Sequence, residues 1–294
     1  MKPDAFAAVM ATGIVSIAAA DHGFQVASDV LVVLAAAAFP VLIVMVARAW
    51  RGFDLRDLDV PMGLFTYVAA CAVLAARLAE HRAVLWVLAG MALQGWLSLA
   101  PLVARRMWLR RAELRDQAHG GWELASVATS GLAIVSADLD IVFWAMLFWV
   151  LAMCIYVFMT ILIVRRVDLS QPDSWILMGG AAIATLAGDH LHSALLPGPI
   201  ADGVRAVTIV TWVVATLWIP LLIYATARRF AGVAWATVFP LGMYASATYA
   251  MAVETGWRWL TVVSLVFSWI ALAAWAVVLS RSRDLWSRSG GDRR

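Results

Sequence analysis

Side chains that could bind a metal ion or carry a proton lie at the ends of the apolar runs of this 294-residue chain. The densest group is Asp189, His190 and His192. Histidines at positions i and i+2 do not share a helical face, and no second cluster supplies further ligands, so we predict no metal site. Hydrolase, phosphate-loop and Cys-x-x-Cys motifs are absent too, which predicts a protein that is not an enzyme and has no cofactor.

Glu123 is the acid best placed to couple or gate a transport step, because it follows Gly120-Gly121-Trp122 at the start of an apolar run. The sequence favours the plainer interpretation, an interfacial acid near a helix N-terminus, where the helix dipole stabilises negative charge. No run carries an ionisable residue near its middle, whereas proton-coupled carriers usually place acids, His or Lys at membrane depth.

Hydroxyl groups recur on the first, third, fifth, seventh and ninth apolar runs, against an Ala-rich background. They can bond to their own helix or bridge neighbouring helices. They can also form a weakly polar pore that replaces part of an ion's hydration, and an apolar ring at a constriction can gate such a pore by excluding water. The predicted pore-lining residues are Thr12, Ser16, Phe65, Thr66, Ser126, Thr129, Ser130, Thr185 and Ser246, and the predicted gate is Phe239.

A helix breaker interrupts the charge-free run Phe230–Val253 at Val238-Phe239-Pro240-Leu241-Gly242. Proline bends a helix and frees a carbonyl, which a membrane tolerates only where protein or a water-filled cavity covers it. The sequence therefore places this span inside a bundle beside a path, although an ordinary kink with a packed phenylalanine is the alternative. The predicted helix kinks are Gly13, Pro61, Gly131, Gly180, Pro240 and Gly242.

The composition indicates a polytopic membrane protein. Hydrophobic residues make up 64% of the chain and charged residues 14%, whereas soluble domains have about 25% charged residues. The arginines flank the apolar runs, so we expect a lipid bilayer as a partner and no nucleic acid. Lys2, an apolar stretch and Ala18-Ala19-Ala20 imitate a signal peptide, but Asp4 and the Thr12-Gly13 break favour a retained first span.

Ten apolar runs predict an all-α fold of five helical hairpins in one domain, residues 1–294. Most odd-numbered runs are too short to face lipid along a hydrocarbon core of about 30 Å, and they hold most of the breakers. We therefore predict that odd helices form an inner ring and even helices an outer ring. The predicted spans are 5–20, 30–50, 60–79, 83–106, 121–137, 141–165, 174–193, 204–227, 231–253 and 257–281.

The arginine distribution predicts the orientation of the chain. Most of the 22 basic residues lie at the N-terminus, in the loops after even-numbered runs and in the tail 282–294. The other side has only Arg77, Arg82, Arg205 and Arg258. By the positive-inside rule both termini, including this basic tail, are cytoplasmic, and the protein is integral to the cell (plasma or inner) membrane.

Four segments in order resemble the tellurite-resistance and C4-dicarboxylate transporter family, in the voltage-dependent anion channel superfamily, which also contains the plant guard-cell slow anion channel. Together they extend over essentially the whole chain. The segments are Phe6-x-x-x-Met10-Ala11-Thr12-Gly13-Ile14-Val15-Ser16, Asp173-x-Trp175-x-x-Met178-Gly179-Gly180, Trp212-x-x-Ala215-Thr216-x-Trp218-Ile219-Pro220-Leu221 and Arg228-Arg229-Phe230 with Trp235-x-x-x-Phe239-Pro240-Leu241-Gly242.

The resemblance implies five hairpins around a pseudo-five-fold pore, a homotrimer, and a phenylalanine on the ninth helix that blocks the pore, which matches Phe239. It also implies small anions as the transported species: chloride, nitrate, malate, sulfite or tellurite. We predict an anion channel or transporter. The alternative is a proton-coupled secondary carrier for a C4-dicarboxylate (malate or succinate), sulfite or tellurite. A membrane redox enzyme or sensor is disfavoured because ligands on facing helices are missing.

Overall fold

The computed structural model describes residues 2–111, 114–164, 169–229 and 232–291, with side chains at all of these positions except 115, 116 and 282–291. The described residues form eleven α-helices and three 3₁₀ turns. The helices are α1 Ala7–Asp21, α2 Gln25–Ala49, α3 Asp59–Arg77, α4 Arg82–Leu109, α5 Leu114–Gln117, α6 Leu124–Asp138, α7 Val142–Val164, α8 Ile176–Ala194, α9 Pro199–Arg228, α10 Trp235–Thr255 and α11 Trp259–Gly291, and the turns are Trp50–Gly52, Gly120–Glu123 and Pro172–Trp175.

The long helices form two layers. Helices α1, α3, α6, α8 and α10, the inner helices, are buried on nearly every face. Helices α2, α4, α7, α9 and α11, the outer helices, bury only a stripe. In α3 78% of the most apolar stretch is buried, against 28% or less in each outer helix. A helix that is apolar all round belongs in the interior, which is where the inner helices lie.

Six described helices, α3 and the five outer helices, are long and apolar enough to cross a membrane by length and composition. Helix α1 is apolar but shorter, and α6 has 15 residues. A helix enclosed by protein does not have to match the full hydrocarbon thickness. The ten predicted runs thus correspond to ten long helices, of which six meet the criterion for a span on their own.

Each inner helix packs against the outer helix that follows it, as α1 with α2 and α3 with α4. The inner helices also contact one another in the order α1, α3, α6, α8, α10 and back to α1. These contacts form a closed cycle, as a central bundle of five hairpins requires. The pseudo-five-fold symmetry itself stays a prediction.

Glycine lies at each of the five contacts between neighbouring inner helices, and four of these glycines were predicted as kinks. An added Cβ would lie within 3.3 Å of the facing helix in every case, and small residues are what allow helices to approach so closely in membranes. The contacts are Gly13 with Val73, Gly131 with Ala72, Gly180 with Ser126, Gly179 with Pro240 and Gly242 with Ile14. The structure therefore assigns Gly13, Gly131, Gly180 and Gly242 to helix contacts.

The two predicted proline kinks differ. Pro61 lies in the first turn of α3, where backbone N–H groups have no intrahelical acceptor, so it begins the helix and does not bend it. Pro240 lies inside α10 and frees the carbonyl of Ala236, four residues earlier. Ala236 borders a cavity at the N-terminal end of α10, and a cavity is one of the settings in which a membrane tolerates a freed carbonyl.

Several helix ends differ from the predicted spans. Helix α2 begins at Gln25, five residues early, because Asp29 pairs with Arg77 across 2.9 Å and is tolerated in its first turns. Helix α11 continues beyond the predicted end of its span, to Gly291. The predicted boundaries at residues 165 and 231, and the motif residue at 230, lie outside the described residues.

We expect Gly131→Ala to destabilise the protein by about 1–3 kcal/mol through overpacking. Its Cβ would lie 2.7 Å from the Cβ of Ala72, on a buried backbone that cannot yield easily. Gly90→Ala is the matched control, because nothing lies within 4 Å of that Cβ on the outer helix α4, and alanine favours the helix. Thermal unfolding in detergent measures both variants, and equal stability would contradict the close α3–α6 contact.

Candidate functional site

A cavity of about 330 Å³, the vestibule, lies where all five inner helices begin. Each inner helix contributes at least one residue near its N-terminal end to the wall. These include Ala7, Thr66, Leu124, Ile176 and Phe239. The vestibule therefore shows that the five inner helices start at the same end of the bundle, as a ring of parallel helices.

Positive helix N-termini and charged side chains of both signs surround the vestibule. A helix N-terminus carries about half a positive charge on its unpaired N–H groups, and here five such ends surround one cavity. Lys2 adds a cation to the wall, while Asp4, Asp59 and Asp173 add acids. Attraction of a negative ion to the vestibule would thus come from several helix N-termini and Lys2, and not from one strong site.

Phe239 lies on the vestibule wall, yet its side chain is completely buried. It precedes Pro240, and Gly179 of α8 packs directly against the ring of that proline. The predicted partner Phe65 is buried too, but it borders a separate groove between α4 and α7 and not the vestibule. Phe239 is thus the phenylalanine that the structure places on the vestibule wall.

His119 joins three inner-helix entrances at the vestibule. Its Nδ1 lies 2.7 Å from Asp173 Oδ2, and its Nε2 lies 3.0 Å from Asp59 Oδ1. Trp122 Nε1 also donates to Asp59, at 3.0 Å, and Gly121 N donates to Asp173, at 3.2 Å. Because both ring nitrogens face carboxylates, the imidazolium form satisfies both contacts. The hydrogen bond to Asp173 raises the pKa of His119 to about 8.

We expect the stability of the wild-type protein to fall as the pH rises from about 6.5 to 9. The folded pKa of His119 lies above its unfolded value of 6.5, so its contribution is complete below that value and is lost as the pH passes through about 8. In His119→Gln the melting temperature should depend less on pH over this range. Melting curves in detergent test this, and equal slopes for both proteins would exclude His119 as the titrating group.

Glu123 differs from the interfacial acid that the sequence favoured. It is the N-cap residue of α6, near the helix N-terminus as expected, but its side chain makes no capping hydrogen bond and is completely buried. Thr160 of α7 donates to its Oε1 and Ser126 donates to its Oε2, both at 2.7 Å. The hydroxyl of Ser126, predicted to line a pore, thus bonds to the carboxyl group of Glu123, and its place in a pore stays a prediction.

Several predicted pore hydroxyls bond to outer helices. Trp275 of α11 donates to Thr12 Oγ1 at 2.9 Å, and Trp96 of α4 donates to Thr129 Oγ1 at 2.9 Å. Thr185 likewise lies 3.0 Å from the hydroxyl of Thr211 on α9. Hydroxyls engaged in this way connect the two rings of helices, which was the structural alternative.

The remaining predicted hydroxyls have varied surroundings. Thr66 lines the vestibule. Ser16 bonds to Ser28 on α2, 3.1 Å away. Ser130 Oγ and Ser246 Oγ are buried without a hydrogen bond of ordinary geometry to a described residue, although the Asp21 carboxyl lies near Ser246. Pore lining stays a prediction for these positions.

Charged residues lie near the opposite end of every inner helix. They are Asp21 on α1, Arg77 on α3, Asp138 on α6, Asp189 on α8 and Glu254 on α10. From here on, the name outer ring means these five residues and no longer the predicted ring of even-numbered helices. Four of the five are acids, and the C-terminal helix dipoles add further negative charge there.

The two histidines of the Asp-His-x-His segment lie next to acids of the outer ring. His190 Nδ1 lies 2.6 Å from Asp138 Oδ1, and His192 Nδ1 lies 3.4 Å from Glu254 Oε1. Arg205 of α9 approaches the same Glu254 oxygen to 2.8 Å. Within the described part of the chain, no three His, Cys, Asp or Glu side chains are grouped to hold a metal ion.

A bundle with one cavity at the shared start of its inner helices is consistent with a transport protein, and comparison with known families decides which one. A family model described as voltage-dependent anion channel matches residues 1–282. The chain belongs to the voltage-dependent anion channel family. This confirms the family to which the four motif segments pointed, and members of the voltage-dependent anion channel family are transport proteins rather than enzymes.

Two similar proteins come from Mycobacterium tuberculosis, strains CDC 1551 / Oshkosh and ATCC 25618 / H37Rv. Each is described as an uncharacterized membrane protein and is 30% identical over 125 residues. The similarity takes in 38% of this chain, and it spans 63% of the length of these curated relatives. With the voltage-dependent anion channel family match and the six apolar helices, it supports a membrane location.

Proposed function

We propose that this protein is a passive or weakly gated anion channel. Anions enter at the vestibule, follow the axis of the inner helices and pass the ring of Phe239, which closes the path. The observation that carries this proposal is the vestibule itself, where five parallel helix N-termini and Phe239 surround one cavity. Membership of the voltage-dependent anion channel family supports the same class of substrate.

Weak binding suits conduction. A channel must attract an ion enough to admit it and hold it loosely enough to release it. The His119 imidazolium in the wall is occupied by two carboxylates, so helix N-termini and Lys2 remain to attract an anion. We infer modest selectivity among chloride, nitrate and small carboxylates.

The finer architecture belongs to the same proposal. We propose a pseudo-five-fold pore of five hairpins, a homotrimer, and cytoplasmic termini on the side of the vestibule. The closed contact cycle of the inner helices and the arginine-rich loops support these assignments. The hydroxyls that we propose to face the path are Ser130 and Ser246, which have no hydrogen bond of ordinary geometry to a described residue, and Thr66, which donates to Gly63 O and lines the vestibule.

A proton-coupled carrier for a C4-dicarboxylate, sulfite or tellurite is the second candidate function. The outer ring favours it, because a negative ion that crosses four acids and helix C-termini gains from a proton that neutralises one of them. The unpartnered Oδ2 of Asp138, whose other oxygen faces His190, is an acceptor for such a proton.

Reversal potentials of the wild-type protein in proteoliposomes test both candidates. Under a chloride, nitrate or malate gradient, a channel gives a potential set by the anion gradient, whereas a proton-coupled carrier gives one that also follows an imposed pH gradient. Protein-free vesicles supply the background. The absence of any anion-dependent potential would reject both candidates.

A further inference from the structure

An apolar groove, the lateral groove, runs along the outer surface between α4 and α7. It consists of two adjoining cavities that share Trp96. The cavity of about 390 Å³ lies toward the vestibule end, and the cavity of about 540 Å³ lies toward the outer ring. Trp108 borders the first and Trp86 and Trp144 border the second. Tryptophans at both ends are typical of the two interfaces of a bilayer.

The lateral groove reaches through the outer helices to the inner ones. Phe65 of α3 and Ala125 and Thr129 of α6 line its floor. Thr129 is the residue whose hydroxyl accepts the indole N–H of Trp96. A chain in this groove would therefore contact the α3–α6 pair directly, next to the vestibule.

One arginine lines the vestibule end of the lateral groove, and two more precede it along α4. Arg111 lines it, with its guanidinium 5.7 Å from the ring centre of Trp108. Arg105 and Arg106 are one turn earlier, on α4. None of the three makes a salt bridge or a hydrogen bond with a described residue, whereas Arg77, Arg82 and Arg205 are all paired. The groove thus joins a long apolar floor to the guanidinium of Arg111, which forms no ion pair with a described residue, at one end.

We propose that the lateral groove binds an anionic phospholipid, with acyl chains between α4 and α7 and the phosphate on Arg111. A phospholipid has this distribution of chemistry, two apolar chains and one charged group at membrane depth. A free anion would gain nothing from the apolar floor. A second copy of the chain would have to present an acid to Arg111, and the exposed faces of the outer helices are apolar within the bilayer. The proposal is independent of the transported ion.

The test is the effect of added lipid on the melting temperature of the purified full chain in detergent. Dioleoyl phosphatidylglycerol should stabilise the wild type more than dioleoyl phosphatidylcholine, and inorganic phosphate should not. Arg111→Gln should weaken the apparent affinity for phosphatidylglycerol about fivefold, the effect of losing about 1 kcal/mol of headgroup attraction. Arg48→Gln is the matched control, because Arg48 is exposed and unpaired among the described residues of α2 and lies away from the groove.

A second variant tests the acyl site separately. Ala104→Trp places a ring at a position that lines the groove and should remove the response to both lipids. Equal stabilisation by the two lipids, or a full response in Arg111→Gln, would overturn the assignment of the headgroup. If Ala104→Trp instead converted an oligomer into monomers, with the lipid response intact, the groove would be an interface between copies of the chain and the proposal would be wrong.

Discussion

Replacement of Phe239 by alanine is expected to raise anion flux by about tenfold or more, since a tenfold rise requires the loss of only about 1.4 kcal/mol of barrier. Phe239 is the completely buried ring on the vestibule wall. Its removal opens space near the Ala236 carbonyl that Pro240 frees, and it admits water to a constriction that an apolar ring keeps dry.

The measurement is anion current in planar bilayers at matched protein density, with Phe65→Ala as the control. Phe65 is equally buried, but it faces the lateral groove. Both substitutions lower the free energy of unfolding by about 3–5 kcal/mol. A general loosening of the bundle would therefore raise the current in both variants. A selective increase in Phe239→Ala supports the gate. Flux in Phe239→Ala no greater than in the wild type would show that Phe239 does not close the path.

The positions of the long helices could be predicted from charge and hydropathy alone. Charges delimit apolar runs, and short runs rich in glycine correspond to the buried helices α1, α6 and α8. The glycines were predicted as kinks, and their contacts with facing helices were not predicted. A sequence shows that a residue is small but not which helix faces it. Gly131 is needed because Ala72, far away along the chain, packs against it.

The candidate site could be predicted only where its residues are adjacent in the sequence. The Phe239-Pro240 step is visible in the sequence because proline has a backbone consequence wherever it occurs. The His119 cluster was missed, since its two carboxylates come from Asp59 and Asp173, 60 and 54 positions away. Such a cluster depends on which way each helix end points, and hydropathy does not contain that information.

Tryptophans inside the outer helices mark contacts with inner helices that were not predicted. Trp96, Trp149, Trp212 and Trp275 donate to the inner helix of the next hairpin. In α2 the corresponding contact is a stacked pair, Phe39 on Tyr67, with ring centres 5.9 Å apart. A tryptophan N–H deep in an apolar run needs a partner, so its presence there indicates a facing polar group. Interfacial tryptophans need no such partner.

Neutralisation of the outer ring is expected to change transport almost as much as removal of Phe239. An anion about 8 Å from a carboxylate is opposed by roughly 2 kcal/mol at an effective dielectric constant of about 20. In a channel, Asp21→Asn should therefore raise anion current about tenfold at neutral pH. It should also weaken the increase in current that acid on the outer-ring side produces in the wild type. Asp202→Asn is the control, an exposed acid in the first turn of the outer helix α9.

The same variant and Asp138→Asn together separate the two candidate functions, because an acid in the path has opposite roles in them. In a channel the Asp21 carboxylate only repels, so its loss increases flux in both directions. In a proton-coupled carrier a carboxylate of the outer ring must take up the proton, and Asp138 with its unpartnered Oδ2 is that acceptor. Asp138→Asn should then abolish uptake driven by a pH gradient and leave anion exchange intact, whereas Asp21→Asn should leave such uptake in place. Anion uptake into proteoliposomes with and without a pH gradient measures both quantities. Flux identical to that of Asp202→Asn under both conditions would place the path away from Asp21, and the outer ring would then serve only to join the ends of the inner helices through pairs such as Asp138 with His190.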